Sequence, residues 1–240
     1  MHNINGNNRI ATRALLTVAL LGALSAGLDA HGVSGKDAVY LEGLEGRAII
    51  PLMYLGAKHM VTGYDHLLFL LGVIFFLYRL KDVALYVTLF AVGHSVTLIA
   101  GVVTGVRVNP FLIDAIIGLS VAYKALDNMR AFERWFGRAP SPRVMTLVFG
   151  LFHGLGLATK VHDYQVSPEG LVPNLVAFNV GVELGQVAGL ALILIAMSYW
   201  RRTPSFGRGA WNANVAIMSA GFVLMGYQLV GFFVTRSFGG

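Results

Sequence analysis

Lys58-His59-Met60-Val61-Thr62-Gly63-Tyr64-Asp65-His66-Leu67-Leu68-Phe69-Leu70-Leu71 sets two imidazoles and a carboxylate at the mouth of an apolar run, Leu67 to Tyr78. Charge buried in such a run has to be offset, and a metal ion is the direct candidate. On a helix each residue advances by about 100 degrees, so His59, Gly63 and His66 fall on one stripe with Asp65 beside it. Gly63 leaves room there for close approach. A Tyr-Asp-His cluster also suits a helix end among headgroups and water, where polar side chains cost little. The rest of the chain decides between the two.

The chain has 240 residues, of which 56% are hydrophobic and 12% charged, with a mean hydropathy of +0.67. That is too apolar for a soluble domain of this size and points to an integral membrane protein. The net charge of +6 comes from basic residues gathered in short loops between apolar runs, where they act as topological anchors. Nucleic-acid binding is rejected on that ground. With no cysteine, a metal must be held by imidazole, carboxylate, amide or thioether, which favours nickel, cobalt, zinc, iron or manganese.

The expected fold class is all-α: a polytopic membrane bundle of about six transmembrane helices plus a short outer or re-entrant helix. Residues 1–30 read as a signal peptide, with Arg9 and Arg13, an apolar core from Ala14 to Leu24, then Ser25, Ala26, Gly27 and Ala30. Cleavage after Ala30 would make His31 the amino terminus, where an α-amine and an imidazole together can grip a metal. Residues 31–46 follow as a short periplasmic segment and 47–240 as the bundle. From Arg47 to Tyr78 one straight helix would overshoot a hydrocarbon core of about 30 Å, so a break is expected near Thr62-Gly63. A short piece over 48–60 would precede a first span over 61–78. Further spans are expected over 83–103, 111–128, 144–159, 173–199 and 212–234. The loops after Tyr78, Met129 and Tyr199 hold nine Lys and Arg residues, which places both termini on the outer side of the membrane.

Counting about 1.5 Å per residue from the outer end of each span puts Asp65, His66, Asp114, His153, Asn179, His94 and Glu183 in the outer half or near the midplane. Each could be a packing hydrogen bond if it stood alone. Together, five spans offer imidazole, carboxylate or amide at overlapping heights, and none of these groups can face lipid cheaply. The expected metal-handling set is therefore His59, Asp65, His66, His94, Asp114, His153, Asn179 and Glu183. Gly181, Gly185 and Gly189 at spacing four, and Gly150 and Gly154 around His153, read as close-packing surfaces.

His59 with Gly63-Tyr64-Asp65-His66-Leu67-Leu68-Phe69, then Gly93-His94-Ser95-Val96-Thr97-Leu98, then Phe149-Gly150-Leu151-Phe152-His153-Gly154-Leu155-Gly156, and finally Phe178-Asn179-Val180-Gly181-Val182-Glu183-Leu184-Gly185-Gln186, resemble in order the HupE/UreJ family of bacterial membrane proteins. The resemblance implies a nickel or cobalt permease, with His59, Asp65, His66, His94, His153 and Glu183 handling the metal. Asp114 departs from it, standing where the family pattern has a glutamate, which keeps the charge but shortens the reach.

The leading expectation is an inner-membrane permease whose substrate is a divalent transition metal ion, nickel or cobalt first and zinc third, within the lipid bilayer and without nucleic acid. A homo-oligomer is compatible with the sequence. The rival readings are an intramembrane zinc hydrolase, with three imidazoles on the metal and Asp65 or Glu183 as general base, and a metal-binding accessory or sensor protein.

Overall fold

The computed structural model describes residues 46–163 and 170–238. The signal peptide expected over 1–30, the candidate terminus His31 and all but the last residue of the segment expected over 31–46 lie outside the described residues. The described residues contain eight α-helices and no strand: α1 Ile49–Thr62, α2 Tyr64–Ile74, α3 Leu80–Thr104, α4 Pro110–Asn128, α5 Ala131–Phe136, α6 Pro142–Asp163, α7 Leu171–Arg201 and α8 Pro204–Phe238.

The break falls where the length argument puts it. Gly63 alone separates α1 from α2, with φ −74° and ψ 97°, and its N–H donates to His59 O. The expected division into a re-entrant piece and a full span takes another form, because both halves run alongside α7. Asn174 Nδ2 donates to Gly46 O at 2.9 Å, and the Ala48 N–H donates to Asn174 Oδ1 at 2.8 Å, tying the start of α1 to the first turn of α7. At the far end Arg201 Nη2 donates to Ile74 O and Phe75 O at 2.5 and 2.8 Å, and its guanidinium lies 4.7 Å from the Tyr78 ring centroid. Residues 48–75 thus form one interrupted rod parallel to α7. Helix α2 stops at Ile74, short of the expected Tyr78, and Arg201 takes up carbonyls that its end leaves open.

Three helices are long and apolar enough to cross a membrane by length and composition: Leu80–Thr104, Leu171–Arg201 and Pro204–Ser237. Helix α4 carries Asp114, Lys124 and Asp127 within 19 residues, and the halves of the broken rod have 14 and 11. The last helix starts at Pro204, eight residues before the expected Asn212, so Arg208 lies within it and not in a loop. Short α5 was not expected at all.

Tight packing uses small residues in all three principal helix pairs. On α7, a Cβ added at Gly181 would stand 1.9 Å from Met53 O, and one at Gly185 2.5 Å from Ala57 O, so α1 rests directly on that face. Between α3 and α6, Gly93 meets Leu147 O, Gly150 meets Phe90 O and Gly154 meets His94 O. Between α4 and α8, Gly118 meets Met225 N and Gly221 meets Ala122 N. Without a strong hydrophobic drive between helices in lipid, such backbone contact supplies much of the attraction. The glycines flanking His153 are therefore packing surfaces, as the spacing predicted. Signals at the turns are local: Gly105 closes α3 at φ 69°, and the Asn109 side chain accepts from Leu112 N ahead of Pro110 to open α4.

A methyl group at position 181 has nowhere to go, whereas one at Gly226 meets nothing within 4 Å. Gly181→Ala is expected to destabilise the bundle by about 1–3 kcal/mol. Gly226→Ala should be neutral or slightly stabilising, since alanine is the better helix former. Thermal unfolding of the two variants in detergent checks the contrast.

Candidate metal centre

The break in the first rod brings the site together. His59 lies in the last turn of α1, and Asp65 and His66 lie in the first turn of α2, so the polar residues flank the point where the backbone ladder is interrupted. His66 Nδ1 lies 3.0 Å from Asp65 Oδ1, and both residues are buried. Gly63 sits against this pair: a Cβ there would fall 2.7 Å from His66 Nδ1 and 3.1 Å from Asp65 Oδ1. Any other residue at 63 would push into the two side chains.

Two more imidazoles reach the same place from the α3–α6 pair. The His66 ring centroid is 4.8 Å from that of His153, 6.2 Å from His94 and 5.2 Å from His59, each pair meeting edge to face. Asp65, His66 and His153 each offer one ligand atom, and these atoms all lie within 4.8 Å of one another. His153 Nε2 is 3.2 Å from the Ser120 hydroxyl of α4. That hydroxyl also donates to Ile117 O at 2.6 Å, which leaves it as the acceptor toward a His153 Nε2–H. Phe69 and Phe90 wall the group, with ring centroids 5.6 and 5.0 Å from His153.

His66 Nε2 is buried without a partner in hydrogen-bond geometry, while buried His94 has the side chain of Asn179 as its hydrogen-bonding neighbour. Buried polar atoms in apolar surroundings are normally satisfied, so an open imidazole nitrogen beside a carboxylate and a second imidazole makes a candidate metal-ligand group. The donors present, imidazole nitrogens with a carboxylate held by one of them, suit a borderline divalent metal.

Not every expected residue joins. His59, Asp65, His66, His94 and His153 come together, with Asn179 at their edge. Asp114 is buried on α4 near Gly156 and is not among the three residues whose ligand atoms lie within 4.8 Å of one another. Glu183 is exposed. The sequence argument counted it with Asn179 at a shared depth, but the glycine face of α7 packs on α1 and sets the rotation of the helix. The buried arc then ends just past Asn179, and Glu183, about 40 degrees beyond it, points out. The structure gives Ser120 a direct contact with His153 and makes Phe69 and Phe90 the walls. The one sequence signal for Ser120 is its place as a polar residue in the apolar stretch that follows Asp114.

The family model described as HupE / UreJ protein matches residues 35–236, most of the chain. No curated protein and no solved structure matches it. Every motif that carried the resemblance lies within the matched residues.

Replacing Gly63 by alanine is expected to displace the Asp65–His66 pair. Affinity of the purified chain for Ni(II) or Co(II) should then drop about 10–100-fold, as when a ligand-orienting contact is lost. Titration calorimetry reads this, and unchanged helical content by circular dichroism would place the effect at the site.

Proposed function

The chain belongs to the HupE/UreJ family, and on that premise we propose that it is a permease that carries a divalent transition metal ion across the bacterial inner membrane, with nickel or cobalt as substrate. The observation that carries this reading is the convergence of buried imidazoles from three helices, with a carboxylate, at the break of a discontinuous rod. Discontinuous helices at mid-depth recur in transporters because the interruption frees backbone and side-chain groups to meet an ion. In this reading six segments cross the bilayer: the broken rod α1–α2, then α3, α4, α6, α7 and α8, with α5 at the surface and both termini periplasmic. The three charges of α4 face inward: Asp114 is buried, and Lys124 and Asp127 pair with each other at 2.5 Å.

Within the site, Asp65 fixes the His66 ring and supplies negative charge. His66 and His153 are the central donors. His59 and Asn179 stand on the outer side of these donors, and His94 completes the central group. A mixed set of imidazoles and one carboxylate binds reversibly, which transport requires, whereas a closed tetrahedral site would hold the ion. Below the group Ser120, Tyr123 and Asp127 lie along α4 at helical spacing and continue a polar line toward the basic end.

The test is metal content by elemental mass spectrometry together with uptake into proteoliposomes. Wild type should retain metal and transport it, His66→Ala and His94→Ala should lose both, and Glu183→Gln, altered outside the group, should keep its metal. Tight stoichiometric metal with no uptake, in proteoliposomes of verified orientation, overturns the permease reading in favour of an enzyme or sensor.

A further inference from the structure

The corner between α4 and α5 carries a second feature, far from the histidines. A cavity of about 420 Å³ opens there, lined by Met129, Arg130, Glu133, Arg134 and Trp211. Arg134 is fixed in its wall: Nη2 donates to Met129 O at 2.6 Å, Nε to Arg130 O at 3.3 Å, and its guanidinium lies 5.3 Å from the Trp211 ring centroid. Arg130 stands opposite on an unusual backbone. Its φ of 57° is the one positive value among the described non-glycine residues. At the other end of α5, Gly137 takes the same left-handed conformation at φ 73°. Glycine serves without strain at one end of this short helix, while at the other the chain keeps an arginine in a conformation that disfavours it. Strain retained at a cavity rim points to a side chain needed there.

We propose that this cavity binds the phosphate headgroup of an anionic phospholipid from the surrounding leaflet, between the guanidinium groups of Arg130 and Arg134 and over the face of Trp211. The guanidinium fork matches phosphate oxygens two at a time, and the indole offers an apolar floor for the glycerol backbone. Glu133 is the acidic group in the cavity, and its Oε2 accepts from Arg130 Nε at 2.6 Å. The arginine partner is 78% exposed, and such a surface pair is weak enough for a phosphate to take Arg130 over. The surroundings fit a lipid more than a free anion. Trp135 and Phe136 on α5 are 61% and 72% exposed, as aromatic anchors at headgroup depth are. Arg138 follows in the next loop and Arg143 in the first turn of α6, and Arg202 and Arg208 bracket the start of α8, so this end of the bundle attracts an anionic leaflet.

The experiment uses the full chain purified in neutral detergent, with phosphatidylglycerol, phosphatidylcholine or inorganic phosphate added. Melting temperature and lipid retained in native mass spectrometry are the readouts. Phosphatidylglycerol should raise the melting temperature by several degrees and remain bound, with no such effect from the other two. Arg130→Gly removes the guanidinium and relieves the backbone, so in phosphatidylcholine it should melt no lower than wild type while losing most of the phosphatidylglycerol shift. Arg130→Asn, also tolerant of the left-handed conformation, should behave alike and guards against a corner loosened by glycine. Equal shifts with both lipids, a full phosphatidylglycerol shift in both variants, or the same shift with inorganic phosphate alone would each overturn the lipid site.

Discussion

An interrupted backbone inside an apolar bundle must find protein partners, since lipid offers no hydrogen bonds to the groups the interruption frees. That constraint governs the arrangement around Gly63. The rod of α1 and α2 survives its break because α7 runs beside it from end to end, clamped by Asn174 at one terminus and by Arg201 at the other. Between the clamps, Gly181 and Gly185 let the α1 backbone lie directly on α7. The break can then sit midway along the rod with its polar residues turned toward the other imidazoles.

The imidazole group depends on this in turn. His94 and His153 come from a separate pair, α3 and α6, whose glycines bring the two backbones into contact at the level of the histidines themselves, Gly154 against His94 O. Larger residues there would part the helices and move the rings out of reach of His66. Packing and chemistry therefore share the same short stretches: the glycines nearest the site set the helix separation, and the rings fill what remains.

Much of this was legible in the sequence. The length of the apolar run forced a break, and the glycine placed it. The spacing of Gly181, Gly185 and Gly189 predicted a close-packing face, and shared depth picked out the histidines and Asp65. What the sequence could not convey was rotation. Depth counts residues along an axis, whereas facing depends on which side of a helix its neighbour takes, and the glycine side of α7 settled that against Glu183. The alliance of α1 with α7 was hidden for a similar reason: backbone contacts and the Asn174 side chain, 126 positions from Ala48, join helices far apart in sequence, which composition does not reveal. Ser120 carries no motif, and its contact with His153 arises where α4 happens to pass.

Three well-packed pairs make up the bundle, and the histidine group draws on all of them. Asp65 and His66 belong to the broken rod and α7, His94 and His153 to α3 and α6, and Ser120 to α4 and α8. Each pair is stiff because backbones touch within it, and the seams between pairs are filled by side chains. The group is thus a three-way joint. Sliding one pair against another by about an ångström would spread donors that now lie within 4.8 Å, so the binding of any ion there would be tied to the relative position of the three bodies.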